Sequence, residues 1–198
     1  MSNSSFSNAN TGDKPADPYK AKNVESQTPL KEKVEDLVSF IEAQKFGMMT
    51  TRVASSGLLE EGGVDLLFHT NTESGKTDDL QTDKHINISF LDSTGAWASV
   101  SGTAEIDTDR ATVKKYYSPA LKAWLGDLGD GVHDGGPDDP RIGVIKVKAI
   151  TATYAVTTRG VLGRNTEFIK GVVTGQAPEV NKLRELSSEE LDQWRATH

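Results

Sequence analysis

Cysteine is missing from the chain altogether. That excludes a disulfide framework, a thiolate-held metal and a cysteine nucleophile. Long apolar runs are missing too: no stretch approaches the roughly 20 residues that a membrane-spanning helix requires. The opening residues, MSNSSFSNANTGDKPADPYK, have neither the apolar core of a secretory signal nor the arginines of an organelle transit peptide. Positive charge is in deficit. Lys and Arg number 22 against 29 Asp and Glu, for a formal net charge of -7, which disfavours general affinity for nucleic acid or an anionic membrane surface. These absences set the expectation of a cytoplasmic protein with no nucleic-acid and no membrane partner. Hydrophobic residues make up 35% of the 198, a low share for one compact domain, so part of the chain is expected to stay unpacked.

Several catalytic signatures are absent as well. There is no nucleophile elbow, no His-Glu-x-x-His pair and no EF-hand loop. The tripeptide Gly75-Lys76-Thr77 suggests a phosphate loop, but that loop needs a glycine five residues before Gly75, and Thr70 stands there. A nucleotide triphosphatase is therefore set aside. His133 and Asp134 beside Asp138 and Asp139 could ligate a metal. A solvated acidic loop is the commoner outcome for such a Gly/Asp run, and no metal is expected.

What is present reads as three regions. Residues 1–27 are rich in Ser, Asn, Asp and Lys and cannot offset their ordering entropy by burial, so a disordered tail is expected. Residues 28–156 form the domain. Thr28 and Pro29 suit the N-cap and first position of a helix, and Val34, Leu37, Val38 and Ile41 lie at i, i+3, i+4 and i+7. Strands are expected at 46–53, 64–70, 86–91, 97–107 and 142–156, with Gly102 marking a bulge in the fourth. Helices are expected to open at Ser74, Thr108 and Ser118-Pro119. Strands with interspersed helices, without βαβ alternation, point to a mainly β, antiparallel barrel with flanking helices. Residues 157–198 read as a C-terminal extension ending in a helix, announced by a Ser187/Glu190 capping box stapled by Leu186 and Leu191.

The most informative stretch is FHTNTESGK at 68–76. It leaves a strand, turns through polar residues and enters a helix. A helix N-terminus presents unpaired N–H groups and partial positive charge, so it suits an anion. Ser74 adds a hydroxyl, Gly75 lets the backbone approach and Lys76 supplies full charge, a set that fits a phosphate. The plainer alternative is an ordinary capped helix with a solvated lysine, and the residues alone leave both open.

FHTNTESGK resembles the phosphate-binding segment of pyridoxamine 5′-phosphate oxidases, which reads aromatic-Tyr-Thr-Asn-x-x-Ser-Arg-Lys. Gly75 replaces that arginine, which places the chain nearer the related general stress proteins. WASVSG at 97–102, SPALKAWLGD at 118–127 and GGPDDPRI at 135–142 are similar to further segments of that branch. The C-terminal segment is similar only to its fungal, blue-light-inducible members. The resemblance implies a split β-barrel that binds FMN, and a homodimer with the flavin at its interface. It implies that His69 and Thr70 line the ribityl-phosphate side, that Ser74, Gly75 and Lys76 meet the phosphate, and that Trp97, Ser99 and Trp124 approach the ring. Core filling is the alternative for both tryptophans.

One departure bears on all of this. In the family a second strand carries an arginine that helps to hold the phosphate. Here only residues 54–63 link the elements on either side, and the arginine-bearing strand is missing. Arg52 is the nearby arginine that remains, either a phosphate contact or a surface charge. Three functions stay open: a flavin-dependent oxidoreductase with a small-molecule electron donor and acceptor, a non-catalytic flavin binder in stress or light responses, or a structural relative that has lost its flavin. No residue declares itself as a general acid or base, and His69 is a candidate by position alone. A deazaflavin is the lesser alternative to FMN.

Overall fold

The computed structural model describes residues 18–25, 27–44, 47–49, 57–59, 63–157, 172–176 and 181–198. In chain order the elements are α1 (Pro18–Asn23), α2 (Leu30–Ala43), β1 (Met48–Met49), β2 (Gly57–Leu59), β3 (Leu66–Asn71) and α3 (Gly75–Thr82). There follow β4 (His85–Leu91), β5 (Trp97–Asp107), α4 (Arg110–Tyr116), α5 (Ala120–Leu125), β6 (Ile142–Thr157), β7 (Asn181–Leu186) and α6 (Ser188–Arg195).

β6 organises the sheet. Its 16 residues are apolar and β-branched in alternation, and most are buried. Along one edge it pairs antiparallel with β5 over nearly its whole length. Its other edge is shared: β3 takes residues 142–147 and β7 takes residues 152–157. The path β1-β4-β5-β6-β3-β2, with β7 added beside β6, gives an antiparallel sheet curled into a half-barrel. The expected bulge lies between Ser101 and Gly102. A Cβ on Gly102 would stand 2.2 Å from the Lys148 carbonyl oxygen, so the strand can bend onto β6 only with glycine there.

The concave face of the sheet packs on α2, whose Val34, Leu37, Phe40 and Ile41 are buried. Phe68, Ile88, Val100, Ile145 and Tyr154 meet them from the strands. A smaller apolar cluster lies on the convex face. Leu67, Val113, Ile142 and Val144 are buried there beneath Tyr116, Tyr117, Leu121 and Leu125 of the α4–α5 region.

Four expectations need correction. Residues 18–25 do not stay unpacked: α1 leads to Val24, which bridges Leu183 of β7. Burial of few apolar atoms suffices there because Asn23 is itself buried and bonded at both ends. Its Nδ2 donates to the Tyr19 carbonyl and its Oδ1 accepts from Asn181 N–H. Residues 1–17 lie outside the described residues. Second, α2 is preceded by Pro29 rather than capped by Thr28, whose hydroxyl donates to Glu25. Asp109, not Thr108, caps α4 through Thr112 N–H. Third, β3 is not left without a neighbour by the short link. Residues 57–59 of that link form β2 and pair with residues 66–68, which satisfies backbone groups that would be costly to bury bare. Fourth, the C-terminal region contributes a strand as well as its helix.

That strand carries the largest fully buried side chain, Arg184. Its guanidinium donates to Glu25 at 2.9 Å, to Glu32 at 2.7 Å and to Asp36. Tyr154, beside it, gives its hydroxyl to the Lys33 carbonyl at 2.6 Å. A charge this deep is tolerable only when paired, and here three carboxylates from the N-terminal elements do the pairing. α6 is held by the expected capping box, by Lys33 to Glu190 at 2.6 Å and by Arg195 to Asp65 at 2.6 Å. Leu186 and Leu191 are both wholly buried in the main core.

Candidate functional site

β3 ends at Asn71, and four residues later, at Gly75, the chain is already helical. The turn between β3 and α3 is tied at both ends. The Asn71 carbonyl accepts from Ser74 N–H at 3.2 Å, from the Ser74 hydroxyl at 2.7 Å and from the Thr77 hydroxyl at 3.1 Å. On the other side, Thr72 N–H donates to the Arg141 carbonyl at 2.8 Å, and the Thr72 hydroxyl lies 3.2 Å from the same oxygen. The turn therefore hangs from Arg141, the residue that precedes β6.

This arrangement decides what the mouth of α3 can do. Ser74 occupies the N-cap position, yet its side chain makes no capping hydrogen bond. Its only proton goes back to Asn71, and Thr77 N–H is satisfied by the Ser74 carbonyl at 2.8 Å. Among the described residues, no acceptor meets the N–H groups of Gly75 and Lys76. Two amides thus stay open at the positive end of an eight-residue helix. A Cβ built on Gly75 would touch nothing within 4 Å, so an incoming anion finds the backbone unobstructed. Lys76 is half-buried, and that burial pulls its ammonium below the usual lysine range. No carboxylate among the described residues pairs with it. The group is a cation held partly out of water with no counter-ion among the described residues, and a phosphate would supply one. Ser74, by contrast, can face such a phosphate only by surrendering its bond to Asn71.

Thr70 is buried, and its hydroxyl stays local, 3.3 Å from the Asn71 carbonyl. His69 points to the convex face, where its ring bonds the Tyr116 backbone. Burial keeps the imidazole below its ordinary pKa and hence neutral near pH 7. Its Nε2 is buried with no hydrogen-bond partner. An atom so enclosed cannot exchange protons with a substrate while α4 is in place.

The expected ring contacts are elsewhere. Asp107 pairs with Val144, and Val144 pairs with His69, so those three residues lie level across the sheet. Trp97 sits ten residues back along β5, roughly 33 Å of strand away at 3.3 Å per residue. Ser99 lies near Trp97 and accepts from Asn87 Nδ2 at 2.8 Å. The structure thus brings His69, Thr70, Ser74, Gly75 and Lys76 together and leaves Trp97 and Ser99 at the far end of the sheet. Trp124 is 86% exposed on α5, so it fills no core. Arg52 lies outside the described residues.

The acidic loop at 126–140 spends its side chains on its own backbone and on neighbouring cations. Asp130 bonds His133 at 2.5 Å, Asp134 accepts from Gly136 N–H, and Asp138 pairs with Lys114 at 2.6 Å. Among the described residues no three His, Cys, Asp or Glu side chains gather as metal ligands. Asp139 is fully buried and salt-bridged to Arg141 at 2.7 Å, a pair that the sequence reading overlooked. Among the described residues no helix is long and apolar enough to cross a membrane.

The chain matches known proteins along most of its length. A family model described as pyridoxamine 5′-phosphate oxidase like matches residues 32–179. Protein bli-3 of Neurospora crassa is 59% identical over 209 residues, covering 100% of each chain. A Clostridium acetobutylicum protein related to general stress protein 26 superposes with a TM-score of 0.54 at 18% identity, over 83% of this chain and 99% of that one. A general stress FMN/FAD binding protein from Xanthomonas citri superposes with a TM-score of 0.52 at 21% identity, over 63% of this chain and 88% of the other. At such identities the superpositions establish the fold, a split barrel, which is the architecture that the family resemblance implied and a form of the antiparallel barrel read from the residues.

Proposed function

The chain belongs to the pyridoxamine 5′-phosphate oxidase-like family, and on that premise we propose that it binds FMN with the phosphate seated at the mouth of α3. The observation that carries this reading is the uncapped helix start. Among the described residues no acceptor meets the amides of Gly75 and Lys76, the Ser74 side chain is turned away, and no carboxylate pairs with the half-buried Lys76 ammonium. These residues fit a dianionic ester: two open amides and one cation stand in consecutive residues at the start of the helix. Bound there, the flavin would supply the redox chemistry, and the chain would supply orientation and charge.

A second copy of the chain belongs to the same proposal. Trp97 and Ser99 lie at the opposite end of β5 from the residues level with His69. In a homodimer they would border the ring of a flavin whose phosphate the partner subunit holds.

The test is an absorption spectrum of the purified protein, with mass spectrometry of whatever denaturation releases. A flavin spectrum and the mass of FMN are expected. Lys76→Ala should strip most of the chromophore. Protein that stays colourless after incubation with FMN, or Lys76→Ala with unchanged occupancy, refutes the placement.

A flavin carrier without turnover is the second reading. The buried Nε2 of His69 favours it, because the residue that the sequence offers by position as an acid or base is enclosed there without a hydrogen-bond partner. Steady-state reduction by NADH or NADPH and reoxidation by an acceptor would decide for an oxidoreductase instead.

A further inference from the structure

Arg141 links the C-terminal end of α5 to the turn between β3 and α3. Its side chain reaches toward the α5 end. Nη2 donates to the Gly126 carbonyl at 2.9 Å and Nη1 to the Leu125 carbonyl at 3.3 Å. These are the orphan carbonyls at the C-terminus of α5. The same guanidinium grips Asp139 through Nε at 3.1 Å and Nη2 at 2.7 Å. Asp139 in turn gathers the loop by accepting from Gly135 N–H at 2.7 Å and from Arg141 N–H at 2.9 Å. Arg110 reinforces the assembly from α4, donating to the carbonyls of Asp139 at 2.8 Å and Ile142 at 2.6 Å. Asp139 and Arg141 are 0% and 6% exposed, so the pair is shielded from solvent and rigid.

The backbone of Arg141 faces the other way. Its carbonyl is the acceptor for both Thr72 N–H and the Thr72 hydroxyl. Thr72 is two residues before Ser74 and four before Lys76. A shift of the Arg141 carbonyl therefore moves the turn whose next three residues form the α3 mouth.

We infer that Arg141 is a positioning residue for the anion site, and that its side-chain hold on Asp139 and α5 fixes the carbonyl from which the Asn71–Lys76 turn is suspended. The inference rests on the FMN reading above for its ligand, but the geometric claim concerns the free protein. Arg141 does not touch the phosphate. It sets where the Gly75 and Lys76 amides point. Its effect must fall on the phosphorylated end of the flavin and spare the ring.

Two variants test this. Arg141→Lys keeps a positive charge for Asp139 but loses the planar fork that reaches both α5 carbonyls. Thr72→Val keeps the N–H bond and the side-chain shape and removes only the hydroxyl, so it remains informative if the lysine variant folds poorly. FMN and riboflavin affinities are measured for each, and the Gly75 and Lys76 amide resonances are followed in the flavin-free protein. We expect both amides to shift and FMN affinity to fall about tenfold, the effect of losing one or two modest hydrogen bonds, while riboflavin affinity is unchanged. A folded variant that keeps FMN affinity within about twofold of the parent overturns the inference, and so does an equal loss for both flavins. If the parent chain binds neither flavin, the functional reading fails instead. The amide resonances then judge the inference alone, and unmoved Gly75 and Lys76 signals overturn it.

Discussion

Ser74 gives its hydroxyl proton to the carbonyl of Asn71, 2.7 Å away, and so withholds its side chain from the helix it precedes. A serine at an N-cap ordinarily accepts from the second or third amide of the helix and stabilises it by about 1 kcal/mol. Here the hydroxyl closes the turn behind the helix, and the first two amides are left for another acceptor.

Substitution at Ser74 should separate the turn from the ligand. Ser74→Ala loses the bond to Asn71 but no cap, and should cost less than about 1 kcal/mol. Ser74→Asp introduces a carboxylate that can cap the free amides and interact favourably with the helix dipole. It should raise the melting temperature of the flavin-free protein and weaken FMN binding by more than about tenfold through charge repulsion and competition for the amides. Thermal denaturation and a flavin titration of the two variants check both halves.

Gly75 invites the opposite experiment. The space around its Cβ position is open, and the related oxidases carry arginine at this point of the motif. Gly75→Arg should stabilise α3 by up to about 1 kcal/mol through helix propensity. It should also tighten FMN binding by about tenfold through one added charge-assisted contact. A titration in which Gly75→Arg binds FMN more weakly than the parent would place the phosphate somewhere other than this turn.

The buried Asp139–Arg141 pair makes a pH prediction. The Arg141 guanidinium holds the Asp139 carboxyl down at about 2, against the opposing effect of burial and with help from Gly135 N–H. Its folded pKa is below the ordinary 3.8, so its stabilisation is fully present above that value and is lost as pH falls toward about 2. Asp139→Asn should flatten the stability curve in that window. At neutral pH it should cost about 3–5 kcal/mol, because it leaves a buried guanidinium unpaired. Urea denaturation between pH 2 and 7 provides the comparison.

The two ends of the described chain should melt together. Asn23 joins α1 to β7 through Tyr19 and Asn181, and Glu25 N–H donates to the Leu183 carbonyl at 3.0 Å. Asn23→Ala leaves the Asn181 N–H without its acceptor, at a cost of about 1–3 kcal/mol. Limited proteolysis should then cut first within residues 181–198. A digestion pattern identical to that of the parent would show that α1 does not secure β7.

The sheet was largely legible before any coordinates. Alternation from Trp97 to Asp107 fixed β5 to the residue, and Gly102 announced its own bulge because no other residue fits under Lys148. The capping box of α6 was equally plain, since Ser187 and Glu190 act within one turn. β7 was not legible. Its sequence NKLREL buries Leu183, Arg184 and Leu186, so its inward face includes a charge, and neither alternation nor hydrophobicity marks it. Arg184 becomes an inward residue only because Glu25, Glu32 and Asp36 are brought to it from about 150 residues away in sequence, and single-sequence patterns carry no such partner information.

The site shows the same division. The helix mouth could be read from FHTNTESGK, because strand, turn and helix follow one another directly. What Ser74 does with its proton could not, since that depends on where the Asn71 carbonyl points. The distance of Trp97 from Lys76 was hidden as well. It follows from strand register, β5 against β6 and β6 against β3, which a motif comparison does not encode.

The placement of Arg184 has a consequence for how the protein is made. Glu25, Glu32 and Asp36 leave the ribosome long before the guanidinium that neutralises them, and residues 152–157 of β6 wait as an unpaired edge for the same segment. A nascent chain cannot close its ion network or cover that edge until β7 has been synthesised. Products that stop short of Arg184 would expose both a cluster of like charges and a sticky strand, a combination that marks them for chaperone holding or degradation.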